Sequence, residues 1–457
     1  MKRDIFPKEL VRNKKWKKFQ KKSKSRRVRA RKHKRLIKER KANFKSSYDI
    51  SLLDRLFIFK EVSNANGYTP TDKHSRKIEI KVPPVFDMFK HPEAALEVIF
   101  SGARKMMSGG LRQVFIDHSK VERNSLASEA LLGLIVAEIL RNRRQFSSEE
   151  INIWGKFPRK SKASRQIVST IGLVKELNDK KFEDANDSEH QSDIHYFRYD
   201  NRYTQSTSVK EDKKRIVTEG CVKYLEKCMN AHSLTILESA RNKLKACLGE
   251  VLDNAEEHCS RTKSVWFVRG YFNDVEHERY LELSVFNLGR SIFDSFDNLP
   301  DTSKVKNTAK GYVDRHKKLV DETALFSVAA LQGNISSKKD IDHTRGQGTV
   351  TLIETFETIY ENYKSLRATD NNMASAQMNI ISGNTVINFD GRFSSKLVEV
   401  DGGGEIFLMP FNEKGTLDLP PDSKCVYTMK RVNFPGVMIN IRIPLQGSTV
   451  PLVGDSK

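Results

Sequence analysis

Glu250 and Asn254 stand four residues apart in LKACLGEVLDNAEEHC (244–259), a stretch with helical periodicity. At about 100° per residue, Leu248, Val251, Leu252 and Ala255 gather on one face. Glu250, Asn254 and Glu257 gather on the other, with Asp253 and His258 flanking them. A carboxylate so placed can align and deprotonate water, and an amide oxygen one turn on suits a hard cation. An ordinary surface helix shows the same split, so the pattern alone does not name the chemistry.

The segments downstream narrow it. SVWFVRGYF (264–272) and LELSVFN (281–287) read as adjacent strands, the second running into FNLGRSI with Asn287 and Gly289. TRGQGTVTLIETFETIY (344–360) brings Gly346, Gly348 and Thr349, then a helix whose packing stripe is Leu352, Phe356, Ile359 and Tyr363. Just upstream, SSKKD (336–340) offers Lys338 and Lys339. The hairpin MNIISGNTVINF (378–389) turns at Gly383-Asn384, and in GVMINIRIPL (436–445) Val437, Ile439, Ile441 and Ile443 alternate with polar positions.

In this order the segments resemble the N, G1 and G2 boxes of the GHKL ATPases, the Bergerat fold, and the resemblance spans 197–450. It implies a two-layer α/β sandwich that binds ATP with Mg²⁺. On that resemblance Glu250 polarises the attacking water, and Asn254, with Asp253 beside it, ligates Mg²⁺ through its side-chain oxygen. Asn287 and Gly289 form the turn that meets the adenine amino group. Gly346, Gly348 and Thr349 approach the phosphates, and either Lys338 or Lys339 contacts them. The family carries an aspartate at the first of these turn positions. The oxygen of Asn287 can still accept from adenine, whereas its amide end cannot.

Upstream, residues 76–180 alternate strand and helix. KIEIKVPPVF, LRQVFIDHS and INIWGKFP read as strands; HPEAALEVIFSGARKMM, SLASEALLGLIVAEILRN and SKASRQIVSTIGLVKEL read as helices. Order and spacing resemble a STAS-like domain, the fold of anti-sigma-factor antagonists, on VFIDHSKV and its following helix. In that family a serine at the start of this helix, after an aspartate, can be phosphorylated. Here ERNSLASEA has Ser125 and Ser128 but no Asp-Ser pair, so both are expected as helix-capping residues. The fold class expected is therefore α/β: a disordered basic arm (1–46), a connector (47–75), a STAS-like domain (76–180), a polar linker (181–196) and a GHKL domain (197–450).

Charge is segregated. Residues 1–45 hold 22 Lys/Arg against Asp4, Glu9 and Glu39, so +19 of the net +22 lies in the arm. KKWKKFQKK and RRVRARKHKR repel themselves, and release of counterions from a polyanion would drive binding to RNA or DNA. Trp16 and Phe19 add surfaces for base stacking. The apolar residues are too few for a membrane-bound helical face, and no secretory or spanning stretch is present. Five cysteines without a CxxC pair fit reduced thiols and a cytoplasmic protein. A P-loop, a phospho-acceptor histidine helix and a zinc motif are all missing from the sequence. The expected partners are nucleic acid through 1–45, a protein on the STAS-like unit, and a second copy of the chain, with no membrane. The leading functional expectation is an ATP-binding, slowly hydrolysing switch. The alternatives are an anti-sigma-type serine kinase or partner-switch regulator, and a non-hydrolysing, nucleotide-responsive nucleic-acid-binding module.

Overall fold

The structure is a computed structural model that describes residues 56–68, 75–108, 111–146, 151–178, 196–201, 213–230, 234–235, 238–257, 265–273, 280–333, 347–366, 376–400, 404–444 and 450–451. The basic arm and almost all of the polar linker lie outside them. The protein is mixed α/β. Helix α1 (Phe57–Ala65) falls inside the stretch expected as a connector. Its Ile58, Phe59 and Val62 recur at helical spacing and are buried. Glu138, from a later helix, accepts from the Ile58 and Phe59 N–H groups at 3.0 Å each, satisfying donors left open at the helix start.

Strands β1 (Lys77–Lys81), β3 (Gln113–Asp117) and β5 (Asn152–Lys156) form a parallel sheet in the order β1-β3-β5. The two-residue strands β2 (Val85–Phe86) and β4 (Arg123–Asn124) pair beside it. Helices α2 (Pro92–Met106) and α3 (Leu126–Phe146) are the crossovers that parallel pairing requires. Ile78 and Ile80 point inward while Lys77, Glu79 and Lys81 alternate outward. The single helix expected over SKASRQIVSTIGLVKEL is two, α4 (Lys162–Thr170) and α5 (Leu173–Asn178). The break falls at Gly172, where an added Cβ would stand 3.0 Å from the Val168 carbonyl oxygen.

The second half builds a seven-stranded antiparallel sheet from β6 (Tyr196–Asp200), β8 (Val265–Asn273), β9 (Tyr280–Leu288), β10 (Gln377–Gly383), β11 (Thr385–Phe389), β14 (Val426–Thr428) and β15 (Phe434–Pro444). Its order is β14-β11-β10-β15-β9-β8-β6. Two small pairs lie apart from it, β7 (Leu234–Thr235) with β16 (Val450–Pro451) and β12 (Lys396–Val400) with β13 (Gly404–Leu408). Gly383, at φ 60°, makes the tight turn between β10 and β11. Six helices belong to this half: α6 (Lys213–Asn230), α7 (Glu238–Glu257), α8 (Ile292–Asp297), α9 (Lys304–His316), α10 (Glu322–Ala330) and α11 (Gln347–Leu366). They share one buried cluster with Trp266, Val268, Leu283, Val285, Met378 and Ile380 of the sheet.

The resemblance implies two layers, but here the sheet is the middle of three. Its other face, through Val265, Phe267, Phe286, Leu288, Ile381 and Met438, shares a cluster with α1, α2 and α3. The polar positions on that face are buried too, because each is paired. Arg442 donates through Nε to Glu282 at 2.7 Å and lies 3.4 Å from Asp87, which Arg123 also pairs at 2.7 Å. The other Glu282 oxygen accepts from the Leu126 N–H at 2.6 Å, placing a carboxylate at the start of α3. Ser284 donates to Asn440 at 2.7 Å, Asn440 to Asn379 at 2.9 Å, and Asn379 to the Met88 carbonyl at 2.7 Å. Burial alone would raise the Asp87 pKa, but Arg442, Arg123 and the Phe89 N–H together hold it below the ordinary value.

Candidate functional site

Helix α7 carries the expected split. Cys247, Leu248, Val251, Leu252 and Ala255 are buried against the sheet, and Glu250 and Asn254 are half-buried on the far side. Burial, and then the negative charge of Asp253, push the Glu250 carboxyl above its ordinary value of 4.5. Asp253 itself is exposed and turns to α6, where it pairs with Lys214, a residue that also holds Glu256 at 2.9 Å. The side chain of Glu257 and residues 258–264 lie outside the described part.

Below α7, strand β9 alternates Leu283, Val285 and Asn287 toward the helices and Phe286 and Leu288 toward the first half. Asn287 is thus on the α7 side of the sheet, paired across the strands with Trp266 of β8 and Val437 of β15. Its Oδ1 accepts from the Val437 N–H at 3.3 Å, and its Nδ2 has no partner among the described residues. Gly289 follows at φ 153°, a conformation that L side chains rarely adopt, with its N–H donating to the Pro435 carbonyl at 3.1 Å. Sequence reasoning missed Gly436. It sits at φ 133°, and a Cβ there would lie 2.2 Å from the Asn287 carbonyl oxygen. Only glycine lets β15 approach the end of β9 this closely; the sequence signal was the Pro435-Gly436 pair entering a strand.

Lys338, Lys339 and Gly346 lie outside the described residues. Gly348 and Thr349 fall in the first turn of α11, whose Val350, Leu352, Ile353 and Phe356 are buried. Tyr363 and Ile359 of the expected stripe are side chains outside the description. Between α7 and α11 runs a cleft of about 660 Å³, lined by Lys243, Thr351, Glu354, Glu357 and Glu361 among others. Among its described lining residues three carboxylates face one ammonium, a balance that repels phosphate. Glu250, Asp253, Asn254, Asn287 and Gly289 are not among them. The structure places Glu250 and Asn254 on the side of α7 away from the sheet, and Asn287 and Gly289 at the end of β9, with Asn287 on the sheet face toward α7. Among the described residues no cluster of His, Cys, Asp or Glu is built to hold a metal by itself.

Ser125 and Ser128 are both fully buried. Ser125 Oγ accepts from the Met88 N–H at 3.0 Å, Ser128 Oγ donates to the Phe86 carbonyl at 2.6 Å, and the Ser125 N–H donates to Ser128 Oγ at 3.3 Å. They cap α3 and tie it to β2, and neither hydroxyl is open to a kinase. Among the described residues, Cys221, Cys228, Cys247 and Cys425 are buried and form no disulfide. No described helix is long and apolar enough to cross a membrane. Compared with known protein families, curated proteins and solved structures, the chain finds no match.

Proposed function

We propose that the 197–450 unit is a GHKL-type switch that binds a purine nucleoside triphosphate with Mg²⁺ and hydrolyses it slowly. ATP is the nucleotide the resemblance implies. The observation that supports this reading is α7: buried on one face, it holds Glu250 and Asn254 on the other, and it packs over the sheet face that carries Asn287. Burial, and then the charge of Asp253, raise the Glu250 pKa above its ordinary value, which makes it a stronger base toward water. Asn254 offers a side-chain oxygen to Mg²⁺, which would neutralise phosphate charge when bound. Asp253 is engaged by Lys214, and its negative charge adds to burial in raising the Glu250 pKa.

Strand β9 gives the switch a route. It carries Asn287 on the α7 side and Glu282 on the face joined to α3, so a shift of β9 reaches both. The buried serines favour this reading over a phosphorylation switch in the STAS-like unit. The same proposal assigns nucleic acid to the arm, residues 1–45, on the strength of its +19 charge.

Calorimetry of the full chain with Mg-ATP, beside a phosphate-release assay, tests the phosphate end. Asn254→Ala should abolish Mg²⁺-dependent binding while the thermal unfolding curve stays cooperative. Wild-type affinity in that variant would remove Asn254 from the site.

A further inference from the structure

The base end of this layer carries two buried donors with nothing to donate to. Trp266 Nε1–H and Asn287 Nδ2–H₂ have no partner among the described residues, and both side chains are 1% exposed. They are not scattered: Trp266 and Asn287 are directly opposed on β8 and β9, on the face toward α7. Cross-strand neighbours stand roughly 4.5–5.5 Å apart at Cβ, so their donor groups can address one ligand edge. Trp266 is held by stacking on Tyr199, with ring centroids 5.4 Å apart and planes 20° apart. Asn287 is held by the Val437 N–H on its Oδ1, which also settles which end of the amide is which. A backbone N–H needs an acceptor, so the oxygen faces Val437 and the amino group is the end left without a partner among the described residues.

A buried donor without a partner is costly, and a ligand acceptor recovers that loss. We infer that the base-recognition end of the proposed nucleotide site prefers guanine to adenine. This rests on the nucleotide-binding reading above and names its substrate. The N7/O6 edge of guanine presents two acceptors and no donor; the same edge of adenine presents one acceptor and an amino group. Against Trp266 and Asn287, guanine offers an acceptor to each N–H. Adenine sets its amino group against one of the two donors and leaves that N–H without an acceptor. An aspartate at 287 would invert this logic, since a carboxylate accepts and does not donate.

The test is a binding panel on the full chain with the Mg²⁺ complexes of GTP, ITP and ATP, followed by calorimetry. ITP keeps O6 and N7 and lacks the 2-amino group. GTP and ITP should bind alike, and each at least about tenfold more tightly than ATP, the discrimination expected when a polar edge is mismatched. Asn287→Asp should reverse the order, and Trp266→Phe, which keeps the stack on Tyr199, should weaken GTP and ITP by the same factor. ATP binding as tightly as GTP to the wild-type chain overturns the inference and leaves the nucleotide site standing. So does GTP binding with ITP rejected, which would place recognition on the 2-amino group. Binding of none of the three overturns the nucleotide reading itself. The wild-type panel decides these outcomes even where a variant fails to fold.

Discussion

Glu250 and Asp253 lie one turn apart on α7, and their repulsion adds to burial in raising the Glu250 pKa above 4.5. Catalysis and folding then pull in opposite directions with pH. Folding favours the protonated carboxyl, so its contribution to stability is present below the ordinary carboxylate range and is lost as pH rises through the raised value. General-base action needs the ionised form, so nucleotide turnover should rise through that same value and level off above it. A rate profile from pH 4 upward should show this acid limb, displaced above the ordinary 4.5. Glu250→Ala should lower the plateau by about 10²-fold or more with nucleotide still bound. A flat profile with unchanged turnover in the variant would take Glu250 out of the mechanism.

At the level of elements, α7 and the strands beneath it were legible because 3.6-residue and two-residue periods repeat without interruption. In β15 Asn440 and Arg442 are two of the polar positions that alternate with Val437, Ile439 and Ile441, yet they are 1% and 5% exposed. Nothing near them in sequence announces this: Asp87, which meets Arg442, stands 355 positions away. Likewise α1 was read as connector because its partner, Glu138, lies far along the chain. Asn287 was legible as a site residue, but the fate of its oxygen was not, since that depends on the register of β15. A buried ion pair is expensive to halve. Arg442→Met leaves Glu282 and Asp87 short of their shared cation and should destabilise the fold by about 3–5 kcal/mol. Urea unfolding with an unchanged slope and a lowered midpoint is the expected result. An unchanged midpoint would mean the seam between the sheet and α3 contributes no stability.

Across the whole molecule, charge and fold are divided between segments. The body carries a net of about +3 over more than 400 residues, while the arm carries +19. Nucleic-acid affinity should therefore follow the arm. A chain beginning at Ser46 should lose most binding to RNA and DNA, and the full chain should lose affinity steeply between low and physiological salt. The salt slope should shrink as Lys/Arg are removed in blocks. Equal binding by the shortened chain would move the nucleic-acid surface onto the folded body. Measured together with nucleotide, the same assay asks whether the two ligands influence one another, which coupling through β9 would produce.

One consequence follows from where β15 sits. Residues 434–444, made after every other described strand of the large sheet, lie between β9 and β10 in its middle. Until they emerge, β9 and β10 present open edges, the kind that pair with other chains. The half-built sheet is therefore the form of this protein that most needs a chaperone.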